Sequence, residues 1–336
     1  MERKPSVNDL GRPAGRYFTF LITVVTGMVL WFFMFSPVLA EYQQAIIYYG
    51  RGMYEKAIQE IKPEVEAHPN DWEPGHRILG LCYVKTKKYP QAIAALSKAV
   101  QLKSPVFSTY MGLAIAYWES NQASRVAGVL TEGERLAKSN DERYELFHWR
   151  GSANYRQKQY AAAIKDLTEA LRLRQGDVSD YSQLGLAHYY ANHYDDAITT
   201  LTKALSMKAG DTSLQEALTR SYQKRGAAHL KDKHYARAVE DLSKAISYNS
   251  KDGSTYYNLG LSQLFLNQYD QAESSFTRAA ELLSGNADPY QQLGYVYEKR
   301  KQYDKALDAY KKAYGLNKSP GLKASIARVN QISGEK

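Results

Sequence analysis

Residues 257–282 read YNLGLSQLFLNQYDQAESSFTRAAEL and residues 290–316 read YQQLGYVYEKRKQYDKALDAYKKAYGL. Laid one over the other, they align Gly260 with Gly294, Tyr269 with Tyr303, Ala272 with Ala306, Phe276 with Tyr310 and Ala279 with Ala313. Apolar residues at helical spacing on either side of a polar break before each Tyr read as helix, turn, helix. Two antiparallel helices come close only where a side chain is missing. Gly or Ala is therefore needed at the crossing points, while large apolar residues such as Phe276 and Tyr310 fill the gaps between them.

The same columns run outward along the chain. A Tyr followed three residues later by Ala recurs as Tyr54 with Ala57, Tyr89 with Ala92, Tyr160 with Ala163, Tyr194 with Ala197, Tyr235 with Ala238, Tyr269 with Ala272 and Tyr303 with Ala306. Ala123 with Val126 is a degenerate copy. Twelve residues before the recurrent Ala stands Gly80, Gly151, Gly185, Gly226, Gly260 or Gly294, and seven after it stands Ala99, Ala170, Ala204, Ala245, Ala279 or Ala313. Leu96, Leu167, Leu201 and Leu242 take the filler position of Phe276 and Tyr310.

With its spacing of mostly 34 residues, this pattern resembles the tetratricopeptide repeat family. The resemblance implies an all-α fold, a right-handed α-solenoid of about eight helix-turn-helix repeats with a C-terminal capping helix. Eight copies fit, at residues 38–71, 73–106, 107–140, 144–177, 178–211, 219–252, 253–286 and 287–320. The first is degenerate, with Ala45 in the Gly column, and so is the third, with Ala114, Val126 and Gly133 in the signature columns. The insert DTSLQEA near residues 211–218 either lengthens a helix or loops outward. Residues 321–336 form a cap and tail, with Leu322, Ile326 and Val329 on one stripe of an otherwise polar helix.

Ahead of the repeats, YFTFLITVVTGMVLWFFMFSPVLA, residues 17–40, carries no charge. Its 24 residues make about 36 Å of helix, against a hydrocarbon core of about 30 Å. Residues 17–37 are expected to be a transmembrane signal anchor. The competing reading is a cleavable signal peptide ending at Val38-Leu39-Ala40, but the 18-residue apolar run from Phe18 to Phe35 exceeds the usual h-region of about 7 to 15 residues. Arg3, Lys4, Arg12 and Arg16 make residues 1–16 a basic tail, which places the N-terminus in the cytoplasm and the repeats outside, in a bacterium on the periplasmic face of the inner membrane.

The rest of the chain offers little chemistry. One cysteine among 336 residues excludes an internal disulfide framework, a CxxC pair and a Cys-rich zinc site. The net charge of +9 comes from 44 Lys and Arg against 35 Asp and Glu, a mixed surface rather than a cationic tract. No GxSxG, HExxH, Walker or GxGxxG pattern occurs, and Cys82 falls on the packed side of its helix. His188 and His193, like His229 and His234, are five residues apart, about 140° around a helix, and one residue of each pair falls in the turn, which argues against shared metal ligation. Asp195-Asp196 and Glu240-Asp241 read as solvated acids at the turn or on the outer helix. No enzyme activity, cofactor, metal or small-molecule substrate is expected.

In the family, first helices of successive repeats line a concave groove. Its expected aromatic residues are Trp118, Trp149, Tyr155, Tyr189, Tyr190, Tyr257, Phe265 and Tyr295, interleaved with Arg77, His148, Gln183, Lys224, Asn258 and Gln291. Such a face suits an extended or helical peptide, although any of these rings could equally cover the neighbouring repeat. The carboxylate clamp of chaperone-docking members is missing: Ser152, Leu186, Ala227 and Leu261 stand where its Asn would follow the helix Gly. The expectation is a membrane-tethered protein-interaction scaffold, an assembly factor or subunit of a cell-envelope complex, contacting the bilayer through residues 17–37. A translocon-associated or import receptor holding client segments is the alternative. An RNA-binding helical repeat, suggested only by a pI near 9.2, lacks a regular polar column, and no nucleic-acid partner is expected.

Overall fold

The computed structural model describes residues 39–249 and 251–334, and every regular element among them is a helix. In chain order the α-helices are residues 39–50 (α1), Tyr54–Ala67 (α2), Glu73–Lys85 (α3), Tyr89–Gln101 (α4), Phe107–Glu119 (α5), Ala123–Gly133 (α6), which a 3-10 turn at Glu134–Leu136 follows, and Asn140–Arg156 (α7). Then come Tyr160–Leu173 (α8), Val178–Tyr190 (α9), Tyr194–Met207 (α10), Thr212–Lys231 (α11), Tyr235–Tyr248 (α12), Gly253–Phe265 (α13), Tyr269–Leu282 (α14), Ala287–Lys299 (α15), Tyr303–Leu316 (α16) and Pro320–Gly334 (α17). The chain divides into two compact units between Trp149 and Arg150. In the first, α2 packs on α3 and α4 on α5; in the second, α8 packs on α9, α10 on α11, α12 on α13, α14 on α15 and α16 on α17. Within each unit these pairs thus close their apolar faces against the next. The anchor expected at residues 17–37 lies outside the described residues, among which no helix is long and apolar enough to cross a membrane.

Within a pair, the two helices touch at one recurrent point. A Cβ placed on Gly80 would stand 2.5 Å from Cγ of Leu96, one on Gly185 2.6 Å from Cγ of Leu201, one on Gly260 2.7 Å from the Phe276 ring and one on Gly294 2.6 Å from the Tyr310 ring. On Gly151 and Gly226 it would stand 2.8 Å from Cγ of Leu167 and Leu242. Real Cβ atoms do not approach that closely, so these contacts exist only because the first helix has no side chain there. Leu96, Leu167, Leu201, Leu242 and Phe276 are completely buried in the space this opens, each worth roughly 1.5–3 kcal/mol of apolar burial. The third repeat solves the same problem differently. Ala114 and Leu130 are both fully buried, and Gly133 stands in the later small-residue column because Tyr110 lies against it, 2.6 Å from where its Cβ would be.

The recurrent alanine of the second helix is closed in as tightly. Ala92, Ala163, Ala197, Ala238, Ala272 and Ala306 all have 0% of their surface exposed. Ala163 sits in one apolar cluster with Leu167 and Leu184, and Ala238 in another with Leu242 and Leu259. Each of these alanines also closes the first turn of its helix: Ala92 N donates to Lys88 O and Ala163 N to Gln159 O at 2.9 Å, while Ala197 N donates to His193 O and Ala238 N to His234 O at 3.0 Å. A methyl group is thus what the column holds, and a longer side chain there would overpack the pair.

The turn inside each pair repeats as closely as the crossing. Gly52, Lys87, Asn121, Lys158, Asn192, Lys233, Asn267 and Lys301 all take positive φ, and the following amide donates back across the helix end, as from Gln268 N to Gln263 O at 2.9 Å. This left-handed C-cap satisfies carbonyls that the ending helix leaves free. In two repeats where Asn fills the position, its side chain accepts from the Tyr that opens the second helix: Tyr194 Oη donates to Asn192 Oδ1 at 2.7 Å, and Tyr269 Oη to Asn267 Oδ1 at 2.9 Å.

Two repeats carry an ion pair beside this crossing. Arg150 donates to both oxygens of Asp166 at 3.0 and 2.8 Å, with Asn154 adding a bond of 3.1 Å, and Arg225 grips Asp241 likewise at 2.8 and 2.6 Å. Asp241 is therefore not the solvated acid expected from its place on an outer helix: only 3% of it is exposed, because it shares the crossing with its Arg. The residues DTSLQEA lengthen a helix. Asp211 caps α11 by accepting from the amides of Ser213 and Leu214 at 3.0 and 3.1 Å, and Leu214, Ala217 and Leu218 bury against Ile198, Leu201 and Ala204. At the C-terminal end, α17 buries Leu322 and Val329, and its Arg328 donates to Glu298 at 2.8 Å, holding that carboxyl below its usual range.

Gly260→Leu is expected to cost roughly 1–3 kcal/mol through overpacking against Phe276, read from thermal melts. Gly128, an exposed helical glycine with open space around it, is the contrast: Gly128→Ala should stabilise by roughly 0.5–1 kcal/mol. Asp166→Ala, which strips a buried guanidinium of its carboxylate, should cost about 3–5 kcal/mol in chemical denaturation, whereas Arg150→Met combined with Asp166→Leu should be nearly neutral.

Candidate binding face

The first helices of the repeats present the aromatic residues expected to bind, and the structure sorts them by what each ring touches. In the first unit, Trp118 and Trp149 are half-buried and meet edge to face at 5.5 Å, with the His148 ring 5.6 Å from Trp149. Trp149 Nε1 donates to Glu145 Oε2 at 3.1 Å. These rings pack on one another.

In the second unit, Tyr155, Tyr160, Tyr189, Tyr190 and Tyr194 form a continuous chain of rings. Tyr160 and Tyr190 stack at 5.0 Å, while Tyr155 lies 6.5 Å and Tyr189 5.1 Å from Tyr190. Burial pushes the Tyr155 phenol up to about 12, and raises Tyr189 as well. Tyr155 and Tyr189 belong largely to the packing, whereas Tyr190 keeps 46% of its surface exposed. Tyr257 is also turned inward, 5.8 Å from Phe276, and burial raises its phenol too.

Phe265 and Tyr295 differ. Phe265 is 54% exposed although one face stacks on Tyr235 at 4.7 Å, and Tyr295 is 39% exposed with Lys299 Nζ 5.2 Å from its centroid. Both line a concavity of ≈ 610 Å³ whose walls include Leu261, Leu264, Gln291 and Tyr310. Tyr190 and Phe265 share one device. Each stands five residues after its helix Gly and stacks on the Tyr that opens the second helix of the preceding repeat, Tyr160 or Tyr235. The Tyr column, a repeat marker in the sequence, is thus also a platform that holds an exposed ring flat.

The polar residues expected on this face are partly committed elsewhere. Arg77 donates to Glu73 at 3.2 Å and to the Tyr42 hydroxyl at 2.9 Å, and Gln183 donates to Ser179 at 3.0 Å. Lys224 and Gln291 are exposed. Cys82 is buried, and burial pushes its thiol up to about 12, which leaves it protonated at neutral pH.

The turn within each histidine pair brings the two rings together. A separation of 140° holds only on a continuous helix, and α9 ends at Tyr190, before His193. Asn192 turns left-handed, His193 N donates to His188 O at 2.9 Å, and the two rings come within 5.8 Å. His229 and His234 meet in the same way at 5.9 Å. Desolvation lowers His188 below the ordinary imidazole value.

Comparison with known proteins gives a consistent result. Residues 42–106 match one tetratricopeptide repeat model, and residues 144–177, 219–252, 253–282 and 287–320 match a second. The third and fifth repeats, 107–140 and 178–211, fall outside these ranges although both fold as helix pairs. No curated protein matches the chain. Among solved structures, a crystal structure of MamA protein is 24% identical, covering 53% of this chain and 93% of that one at a TM-score of 0.40. MamA from Desulfovibrio magneticus RS-1, from residue 41 to its end, is 22% identical, with 53% and 97% covered and a TM-score of 0.37. The C-terminal part of a TPR repeat-containing protein from Cytophaga hutchinsonii is 16% identical, with 85% and 99% covered and a TM-score of 0.43. The two sets of family-model matches together take in more than half of the 336 residues, and the chain belongs to the tetratricopeptide repeat family.

Proposed function

We propose that the protein is a membrane-tethered scaffold that holds a protein partner at the cell envelope, as an assembly factor or a permanent subunit of a membrane complex. Binding, not turnover, is its activity. The observation that carries this reading is the pair Phe265 and Tyr295, two exposed rings on neighbouring first helices that share the wall of one concavity. Large aromatic surfaces in a recess dominate the affinity of many interfaces, because they bury much area at little cost in side-chain entropy. Gln291 and Asn267 at the same recess offer amide groups to a peptide backbone, and Lys299 sets a cation at its rim. A peptide with an apolar or aromatic side chain beside an acidic one matches that set.

The tether rests on the sequence of residues 17–37 and on the basic tail before it, which together favour an N-terminus in the cytoplasm and the repeats on the other side. A scaffold held at the membrane meets partners in the same membrane at raised effective concentration, which suits a binding face of only a few rings.

Affinity purification from mild detergent followed by mass spectrometry is expected to recover a partner in stable stoichiometry. Phe265→Ala with Tyr295→Ala should cut its capture at least about tenfold, since removal of two anchor rings costs about 2 kcal/mol or more each, while the melting temperature stays near that of the parent. Undiminished capture would assign the interaction to another surface. For the tether, the native protein is expected to remain in the pellet after carbonate washing and to begin at or near Met1. A mature N-terminus at Glu41 with release into the soluble fraction would contradict it.

A further inference from the structure

The fifth repeat holds a cluster that protein binding does not use. His188, near the end of α9, His193, in the turn, and Asp196, in the first turn of α10, each offer one ligand atom, and the three atoms lie within 4.8 Å of one another. His188 Nδ1 is buried and has no hydrogen-bond partner among the described residues; the nearest carboxylate is that of Asp196, with Oδ2 at 3.9 Å. An imidazole nitrogen left without a partner in a buried place is unusual, because the lost solvation is not regained. His193 and Asp196 are exposed, so both can shift by the ångström or so that coordination at about 2.0–2.2 Å requires.

We propose that His188, His193 and Asp196 bind a divalent transition-metal ion of the zinc class. Two imidazoles and one carboxylate are the donor set that such ions favour, and three protein ligands leave a fourth position open. That position borders a concavity of ≈ 440 Å³ lined by His193, Asp195, Asp196, Arg225, His229 and Asp232. The charge of Arg225 does not oppose the ion, since it is engaged by Asp195 and Asp241. The ion would pin the end of the first helix to the start of the second and offer its open position to water or to a donor side chain of a partner.

The molecule contains its own control. His229 and His234 occupy the corresponding positions one repeat later, with rings 5.9 Å apart, but His229 Nε2 faces Asp241 at 3.7 Å, and that carboxylate is already held by Arg225. Where Asp196 stands in the fifth repeat, the sixth has Arg237, a cation. The proposal therefore assigns the metal to one pair and denies it to the other.

The test is titration of the untagged full chain in detergent with Zn²⁺ by calorimetry, and with Co²⁺ by visible absorption. One equivalent is expected to bind, with a four- or five-coordinate Co²⁺ spectrum. His193→Ala and Asp196→Asn should each weaken binding at least about tenfold, since losing even an outer-shell partner of a metal ligand costs about 10- to 100-fold. His234→Ala should leave binding unchanged. Zn²⁺ should raise the melting temperature of the parent and not that of His193→Ala. Absence of saturable binding by the parent, binding indifferent to both substitutions, or equal loss in His234→Ala would overturn the assignment. Circular dichroism of the variants, whose altered side chains are exposed, separates lost ligation from lost folding.

Discussion

The close crossing of two helices at a missing side chain is the constraint on which the rest of this structure depends. A glycine, or an alanine in the first and third repeats, lets the first helix of each pair drop onto a large residue of the second, and the contact recurs at Gly80, Gly151, Gly185, Gly226, Gly260 and Gly294. It sets the distance between the helices, and with that distance fixed the alanines at 92, 163, 197, 238, 272 and 306, and those seven residues further on, are completely buried. Because the pairs are built alike, each within a unit leaves the same apolar face for the next to cover, which is why a repeat array of this kind is stable as a stack and not as single units. The C-terminal helix ends the stack by covering the last such face with Leu322 and Val329 while its other side stays polar.

That same regularity decides where function can sit. Positions at the crossing and in the small-residue columns are closed to variation by sterics, so partner-specific chemistry must lie elsewhere on the first helices or in the turns. Five residues after the helix Gly is such a place: Tyr190 and Phe265 there lean on Tyr160 and Tyr235 and stay open on the other side. The turn is another. Its left-handed residue reverses the chain and brings the side chain that follows back over the helix it has just left, which is how His193 reaches His188. A ring platform and a folded-back turn thus turn one repeated backbone into two different local chemistries.

Most of the architecture was legible because steric columns repeat: the helix pairs follow from Gly, Ala and filler spacing, and the C-terminal helix from the stripe of Leu322, Ile326 and Val329. What stayed hidden depends on contacts between columns. The positive-φ position was present in the sequence as Gly52, Lys87, Asn121, Lys158, Asn192, Lys233, Asn267 and Lys301, two residues before each second-helix start, but Lys is no usual marker of a left-handed turn. Arg150 with Asp166 and Arg225 with Asp241 mark themselves in the sequence only as a charge in both partners of one crossing, 16 residues apart, a pattern that the outer-helix position of Asp241 masks. Of the eight rings expected on the binding face, Tyr190, Phe265 and Tyr295 are exposed, whereas the others are at least half-covered by neighbours, a distinction that helical phase alone does not make.

The functional account stands or falls on whether the exposed rings of the first helices touch the partner. Site-specific photo-crosslinking in intact cells measures this directly, with a benzophenone amino acid in place of Phe265 or Tyr295, and of Lys312 on the second helix α16 as the reference. The account predicts one adduct of the same mass from positions 265 and 295 and none from 312. Adducts from 312 alone, or none from either first-helix position under conditions where the partner co-purifies, would contradict it.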